Sequence, residues 1–184
     1  MEGHPQTAIL FRSFPRTQPP PFFVADLIDV FSKHEGQIST KRLTKGLTSD
    51  SVLATLRPDL KALGFQVEEG KLKAQKIDRP VFFGENGKPT LNFQIDGFHS
   101  KWECGLEIEA GRALMGNAIY RDLIRASVMV ELKYLVLAVP LTYKYQSQGK
   151  THVGKDYEET SGLAETLYGH SRLRLPYDLV VVGY

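Results

Sequence analysis

The sequence predicts an α/β protein with a mixed central β-sheet flanked by helices. Three observations carry this. Four segments, "LNFQIDGF", "CGLEIEA", "YLVLAV" and "DLVVVGY", show the alternating or continuous hydrophobicity of strands. Stretches near residues 24–31, 49–63, 116–130 and 157–168 show helical periodicity and fall between or before those strands. The chain has 184 residues, enough for one medium-sized domain with its own core.

Composition narrows the class. The formal net charge of +2 is close to balance, so nucleic-acid binding would have to come from local patches. Cys104 is the only cysteine, which excludes an intrachain disulfide and any multi-cysteine zinc site. The N-terminus, "MEGHPQTAILFRSFPR", lacks the apolar core of a signal peptide. The longest apolar run, Tyr134–Leu141, falls well short of the ~20 residues that span a bilayer. The expectation is a cytoplasmic chain with no membrane partner.

Taken in order, residues 1–21 carry much of the proline and predict an extended arm or surface-packed segment. Val24, Leu27, Ile28 and Phe31 recur at helical spacing, with Gly36 as the expected stop. The polar, basic stretch "STKRLTKGLTS" reads as a loop or short helix. A second helix starts near Ser49 or Asp50, either a good N-cap, and buries Val52, Leu53, Leu56, Leu60 and Leu63. Pro58 is expected to kink or restart this helix, and Gly64 to end it. The weak helix-turn-helix pattern of residues 24–63 does not stand out from three short helices with basic loops.

A strand-rich section follows, with Asn86-Gly87 as a hairpin signal. In its second run, Leu91, Phe93 and Ile95 take one face, and Asn92, Gln94 and Asp96 the other. "HSKW" is a turn with His99 exposed, and "CGLEIEA" is the returning strand. A helix over 116–130 carries a polar stripe of Asn117, Arg121 and Arg125, with Asp122 beside it. "YLVLAV" reads as a strand buried on both faces. "YKYQSQGKTHVGKDY" reads as a long polar loop, before a helix near 157–168 and a last strand.

The chemistry concentrates in "GLEIEAGRA". On a strand, Glu107 and Glu109 share a face opposite Leu106 and Ile108. A two-residue turn at Ser100-Lys101 would pair Asp96 with Gly105, making Asp96 and Glu107 diagonal neighbours within reach of one ion. A three-residue turn would break this. Asn92, Gln94, Asp96, Glu107 and Glu109 could equally be the wet face of an amphipathic hairpin. Against that, no lysine or arginine interleaves with these acids, and like charges across strands cost stability. Three carboxylates without sulfur or histidine favour magnesium, with manganese second, over zinc.

These residues carry a resemblance. A strand ending in Asp96, a hairpin, Glu107-x-Glu109, a helix and a buried strand resemble the PD-(D/E)XK, restriction-endonuclease-like superfamily over about residues 50–142. Asp96 matches the motif aspartate and Glu107 its first acid. Glu109 stands where most members have lysine, as in a minority of type II restriction enzymes, and Ile95 stands where the motif has proline. The resemblance implies a restriction-endonuclease-like core over 49–142, with an N-terminal arm and helix over 1–48 and a loop, helix and strand over 143–184. It implies a magnesium-dependent DNA endonuclease in which Asp96, Glu107 and Glu109 hold metal and carry catalysis. Double-stranded DNA is then the partner, and a symmetric cut favours a homodimer, its interface and its DNA-reading surface expected in 1–48 and 143–184. The rival is a non-catalytic DNA-binding or assembly protein on the same fold; a phosphohydrolase of small substrates stands third.

Beyond the acids, Arg112 and Asn117 are candidate DNA contacts near the motif, as are Lys144, Lys150 and Lys155 in the polar loop, with Lys41, Arg42 and Lys45 behind them. Each is equally an ordinary solvated residue. Cys104 reads as a small core residue.

Overall fold

The computed structural model describes residues 8–41, 46–111, 116–147 and 149–184. The architecture is mixed α/β. In chain order the strands are β1 (Leu10–Phe14), β2 (Gln66–Val67), β3 (Ile77–Phe83), β4 (Pro89–Ile95), β5 (Gly97–His99), β6 (Cys104–Ile108), β7 (Tyr134–Val139), β8 (Tyr143–Ser147), β9 (Lys150–Gly154) and β10 (Asp178–Gly183). The helices are α1 (Val24–Lys33), α2 (Glu35–Ile38), α3 (Ser49–Leu63), α4 (Ala118–Val128) and α5 (Asp156–Gly169).

Six strands form one sheet in the order β1-β10-β7-β6-β5-β2. Its centre, β6-β7-β10, is parallel, and β1, β5 and β2 add antiparallel to its flanks. The parallel centre explains the continuous apolar runs, since such strands are covered on both faces. Leu106, Ile108, Val136, Ala138, Val180 and Val182 pack with α1, α2 and α3. Leu135, Leu137, Val139, Leu179 and Val181 pack with α4 and α5 on the other face. Glu107 alternates with Leu106 and Ile108, so it points to the α4 side.

Two antiparallel ribbons, β3-β4 and β8-β9, stand outside this sheet. The first is the expected Asn86-Gly87 hairpin, with Asn86 and Gly87 both at positive φ. The second corrects the expected long loop over 143–157: Tyr143 to Ser147 pair with Gly154 to Lys150, and Gly149 takes the left-handed conformation between them.

Other expectations are adjusted. The proline-rich arm contributes β1, paired along its whole length with β10. Helix α1 ends at Lys33, not at Gly36, which lies inside α2. The boundary is pinned because Lys33 and His34 both bind the Asp59 carboxylate of α3, each at 2.6 Å. Thr48 is the N-cap of α3, its hydroxyl accepting from the Ser51 N–H. Pro58 does not restart α3, which is one helix from Ser49 to Leu63 with the left-handed Gly64 as its C-cap. Pro58 and Ala54, whose carbonyl loses its partner, both lie on the exposed face. Helix α4 is shorter than 116–130.

His99 is buried, not exposed. The turn after β5 spans four residues, since His99 pairs with Cys104. It folds Trp102 back onto the His99 ring at 3.7 Å between centroids. The Trp102 N–H donates to Nδ1, and Nε2 lies 3.2 Å from the Leu63 carbonyl. Cys104 is a buried core residue as expected, its thiol pushed up by burial. No described helix is long and apolar enough to cross a membrane.

His99→Ala is expected to lower stability by about 2–4 kcal/mol, because it leaves a cavity under Trp102 and strips a part-buried carbonyl and N–H of their partner. Urea denaturation measures this; a change below about 0.5 kcal/mol would contradict the assigned contacts.

Candidate functional site

The site begins with strand pairing. Phe98 faces Gly105 and Gly97 faces Leu106, so the register carried one residue further sets Asp96 opposite Glu107. The expected diagonal pair is therefore a directly opposed one. Asp96 is the single residue between β4 and β5, where the chain leaves the ribbon and enters the main sheet. It is fixed there from two sides. Its Oδ2 accepts from the Ile108 N–H at 2.9 Å, and its carbonyl accepts from the Glu68 N–H at 2.8 Å.

Asp96 and Glu107 line a cleft of about 210 Å³ together with Glu68, Asp122, Lys76, Arg121, Arg125 and Gln94. Lys76 is ion-paired to Glu68, which is almost fully buried. Glu109 is not among the lining residues. Its backbone is held by the Ala138 carbonyl and the Tyr184 hydroxyl, at 2.9 and 2.8 Å. Its side chain is bound by Arg121 at 3.2 Å, and Arg121 also donates to Asp122 at 2.9 Å. Asp122 is only 2% exposed, an acid on the inward face of α4.

Electrostatics follow from this crowding. Burial first, and then neighbouring acids, push the Asp96 carboxyl up to about 6 against the stabilising Ile108 N–H. Glu107 is raised well above its ordinary value by burial and by Asp96, Asp122 and Glu109. Burial and a hydrogen bond with Asp122 raise Glu109 to about 8, with Arg121 opposing. The cleft holds more acid than its cations neutralise. Among the described residues, no three His, Cys, Asp or Glu side chains are grouped so as to hold a metal ion by themselves. The two opposed carboxylates of Asp96 and Glu107 nonetheless fit magnesium, which commonly takes one or two protein carboxylates and fills its octahedron with water and substrate phosphate.

The candidate DNA contacts are scattered. Asn117 is exposed and begins α4 in the left-handed conformation. Lys144 and Lys150 lie exposed on the β8-β9 ribbon, and Lys155 pairs with Glu158 at 3.1 Å. The ribbon's base adjoins the acidic motif, because the Tyr143 ring occupies the space above Gly111. Lys41 is exposed; Arg112, Arg42 and Lys45 lie outside the described residues.

Sequence reasoning missed Glu68, Lys76 and Asp122 as site residues. Asp122 had a signal: it sits three residues after Ile119 and four before Ala126, on the helix's apolar stripe. Glu68 and Lys76 had none, since the β2-β5 pairing brings Glu68 to Asp96 and the β3-β4 pairing brings Lys76 there. A larger groove of about 680 Å³ opens at the start of β7 and β10, but Asp178 is the only carboxylate lining it.

No protein-family model matches the chain, and no curated protein matches it significantly.

With metal chelated, stability is expected to fall as pH rises. The ordinary carboxyl values are 3.8 for Asp96 and 4.5 for Glu109, and the folded ones are about 6 and about 8. Both groups are raised, so the folded chain holds protons that the unfolded chain has released. The stability they allow is full below pH 4 and is lost progressively up to about pH 8. Urea denaturation in EDTA at intervals from pH 4.5 to 9 should show this decline, shallower in Glu109→Gln. A wild-type profile that rises over pH 5–8 would contradict the assignment.

Proposed function

We propose that the chain is a magnesium-dependent DNA endonuclease with a restriction-endonuclease-like core. The observation that carries this is the opposed pair Asp96 and Glu107, facing a small cleft whose acid charge is not neutralised. The order helix α3, antiparallel β5 and β6, helix α4 and parallel β7 supports the same reading.

Asp96 and Glu107 would hold the ion, with manganese as a substitute. When bound, it supplies Lewis acidity toward a phosphodiester and a water of lowered pKa. Lys76, on the cleft wall, supplies the positive charge that Glu109 cannot, and Arg121 and Arg125 add to it. Glu109, its carboxyl raised by burial and by a hydrogen bond with Asp122, stands behind the pair and would orient an attacking water once ionised. Arg121 fixes both carboxylates in place.

One observation favours the rival, a non-catalytic DNA-binding or assembly protein. The ion pairs Glu68–Lys76 and Glu109–Arg121 can be read as a structural network that compensates buried acids without any metal.

Two measurements decide. Magnesium should raise the melting temperature of the wild type, and plasmid DNA should be nicked or linearised in its presence. Asp96→Ala and Glu107→Ala should each lower cleavage at least a hundredfold and abolish the magnesium-dependent stabilisation, while keeping the fold by circular dichroism. Cleavage at the wild-type rate in either variant would sink the site assignment. Absence of both metal stabilisation and cleavage in the wild type would leave the rival.

Symmetric double-strand cleavage by one site per chain further implies a homodimer. Light scattering at micromolar concentration, with and without duplex DNA, should give twice the chain mass; a monomer in both conditions would restrict the activity to nicking.

A further inference from the structure

We propose that the β3-β4 ribbon is the element that reads DNA sequence, presenting Asn92 and Gln94 to base edges beside the cut. This rests on the endonuclease reading and supplies it with a recognition surface. The ribbon pairs only with itself and stands outside the six-stranded sheet. A two-stranded ribbon is one of the two elements that the major groove of B-DNA admits.

The two faces of β4 divide the work. Phe93 and Ile95 pack against the core on one side. Thr90, Asn92 and Gln94 are exposed on the other, in line with Asp96. Gln94 itself lines the acidic cleft. A duplex with a phosphate at Asp96 and Glu107 therefore brings its adjoining bases to this face.

The chemistry of the face is that of base recognition. Asparagine and glutamine amides donate and accept side by side, matching N6 and N7 of adenine. Asp78, paired with Gln94 and exposed, is an acceptor suited to the cytosine amino group. The spacing also fits. Alternate strand residues lie about 6.6–6.8 Å apart. Stacked bases rise about 3.4 Å, so Asn92 and Gln94 address positions two base pairs apart, Gln94 the nearer to the cut. The lysines Lys144 and Lys150, on the other ribbon, are suited to phosphates, and as donors only they do not match the paired donor and acceptor of adenine.

The test is sequencing of the ends released from a randomised duplex library by the full-length chain with magnesium. Wild type should show preferred bases near the cut. Asn92→Ala and Gln94→Ala should each lose discrimination at one position, by roughly 5- to 150-fold as for a bidentate contact. The two positions should be two base pairs apart. Variants that keep the wild-type profile would overturn this inference and leave the endonuclease reading intact. If the wild type binds but does not cut, the endonuclease reading fails, and the sequences it selects by binding are judged by the same criterion. If it neither cuts nor binds duplex DNA, both fail.

Discussion

Holding Asp96 opposite Glu107 is the constraint around which the site is arranged. The two carboxylates are set by the register of the β5-β6 pairing, and they cannot move apart without breaking that pairing inside the main sheet. Like charges directly opposed on a sheet destabilise it. Hydrogen-bond donors and cations around the pair answer that cost in part, while Glu68 and Asp122 add to it. The Ile108 N–H binds Asp96, Lys76 enters from the approach to β3, and Arg121 clamps Glu109 and Asp122. Burial and the neighbouring acids raise both carboxyls of the opposed pair above their ordinary values, so the remainder is met by protonation. A site in this condition gains from any cation it admits.

The parallel centre of the sheet makes the arrangement rigid. β6 is paired to β7 on one side and β5 on the other, and both faces of β7 are fully packed. Glu107 therefore projects from a strand with little freedom to shift. Glu109 lies just past the end of β6, where its N–H still reaches the Ala138 carbonyl and Tyr184 holds its own carbonyl. The two acids of the Glu-x-Glu pair thus share a face but not an environment. Glu107 opens to the cleft, and Glu109 turns to the charges of α4.

Much of the fold was legible because hydrophobic periodicity reports burial directly. The stripe of α3, the two-sided run of β7 and the hairpin at Asn86-Gly87 all appear as read. The failures have physical causes. Pro58 breaks no helix because its lost bond falls on the wet side. His99 looked exposed because a histidine in a turn is polar by type, but a stacked tryptophan and the α3 carbonyl at Leu63 bury it. The β8-β9 ribbon reads as loop in the sequence because its lysines and glutamines mask the alternation. Glu68 and Lys76 depend on long-range pairing that no local pattern encodes.

The register of Asp96 shows why the acidic cluster survived a wrong premise. The diagonal pairing is conditional on a two-residue turn, and the turn has four residues, Ser100 to Glu103. Adding two residues to a hairpin turn slides the pairing by one residue on each strand, so an even position still opposes an odd one. Which residues share a face is unchanged, because the side-chain period is two. What changes is proximity: Asp96 moves from beside Glu107 to opposite it. An odd-length turn would have sent Asp96 to the face of Leu106 and Ile108, into the core beneath α3. Turn parity, more than turn length, therefore decides whether this sequence has an acidic cleft, and Glu103, at φ 50, is the non-glycine residue that closes the even turn.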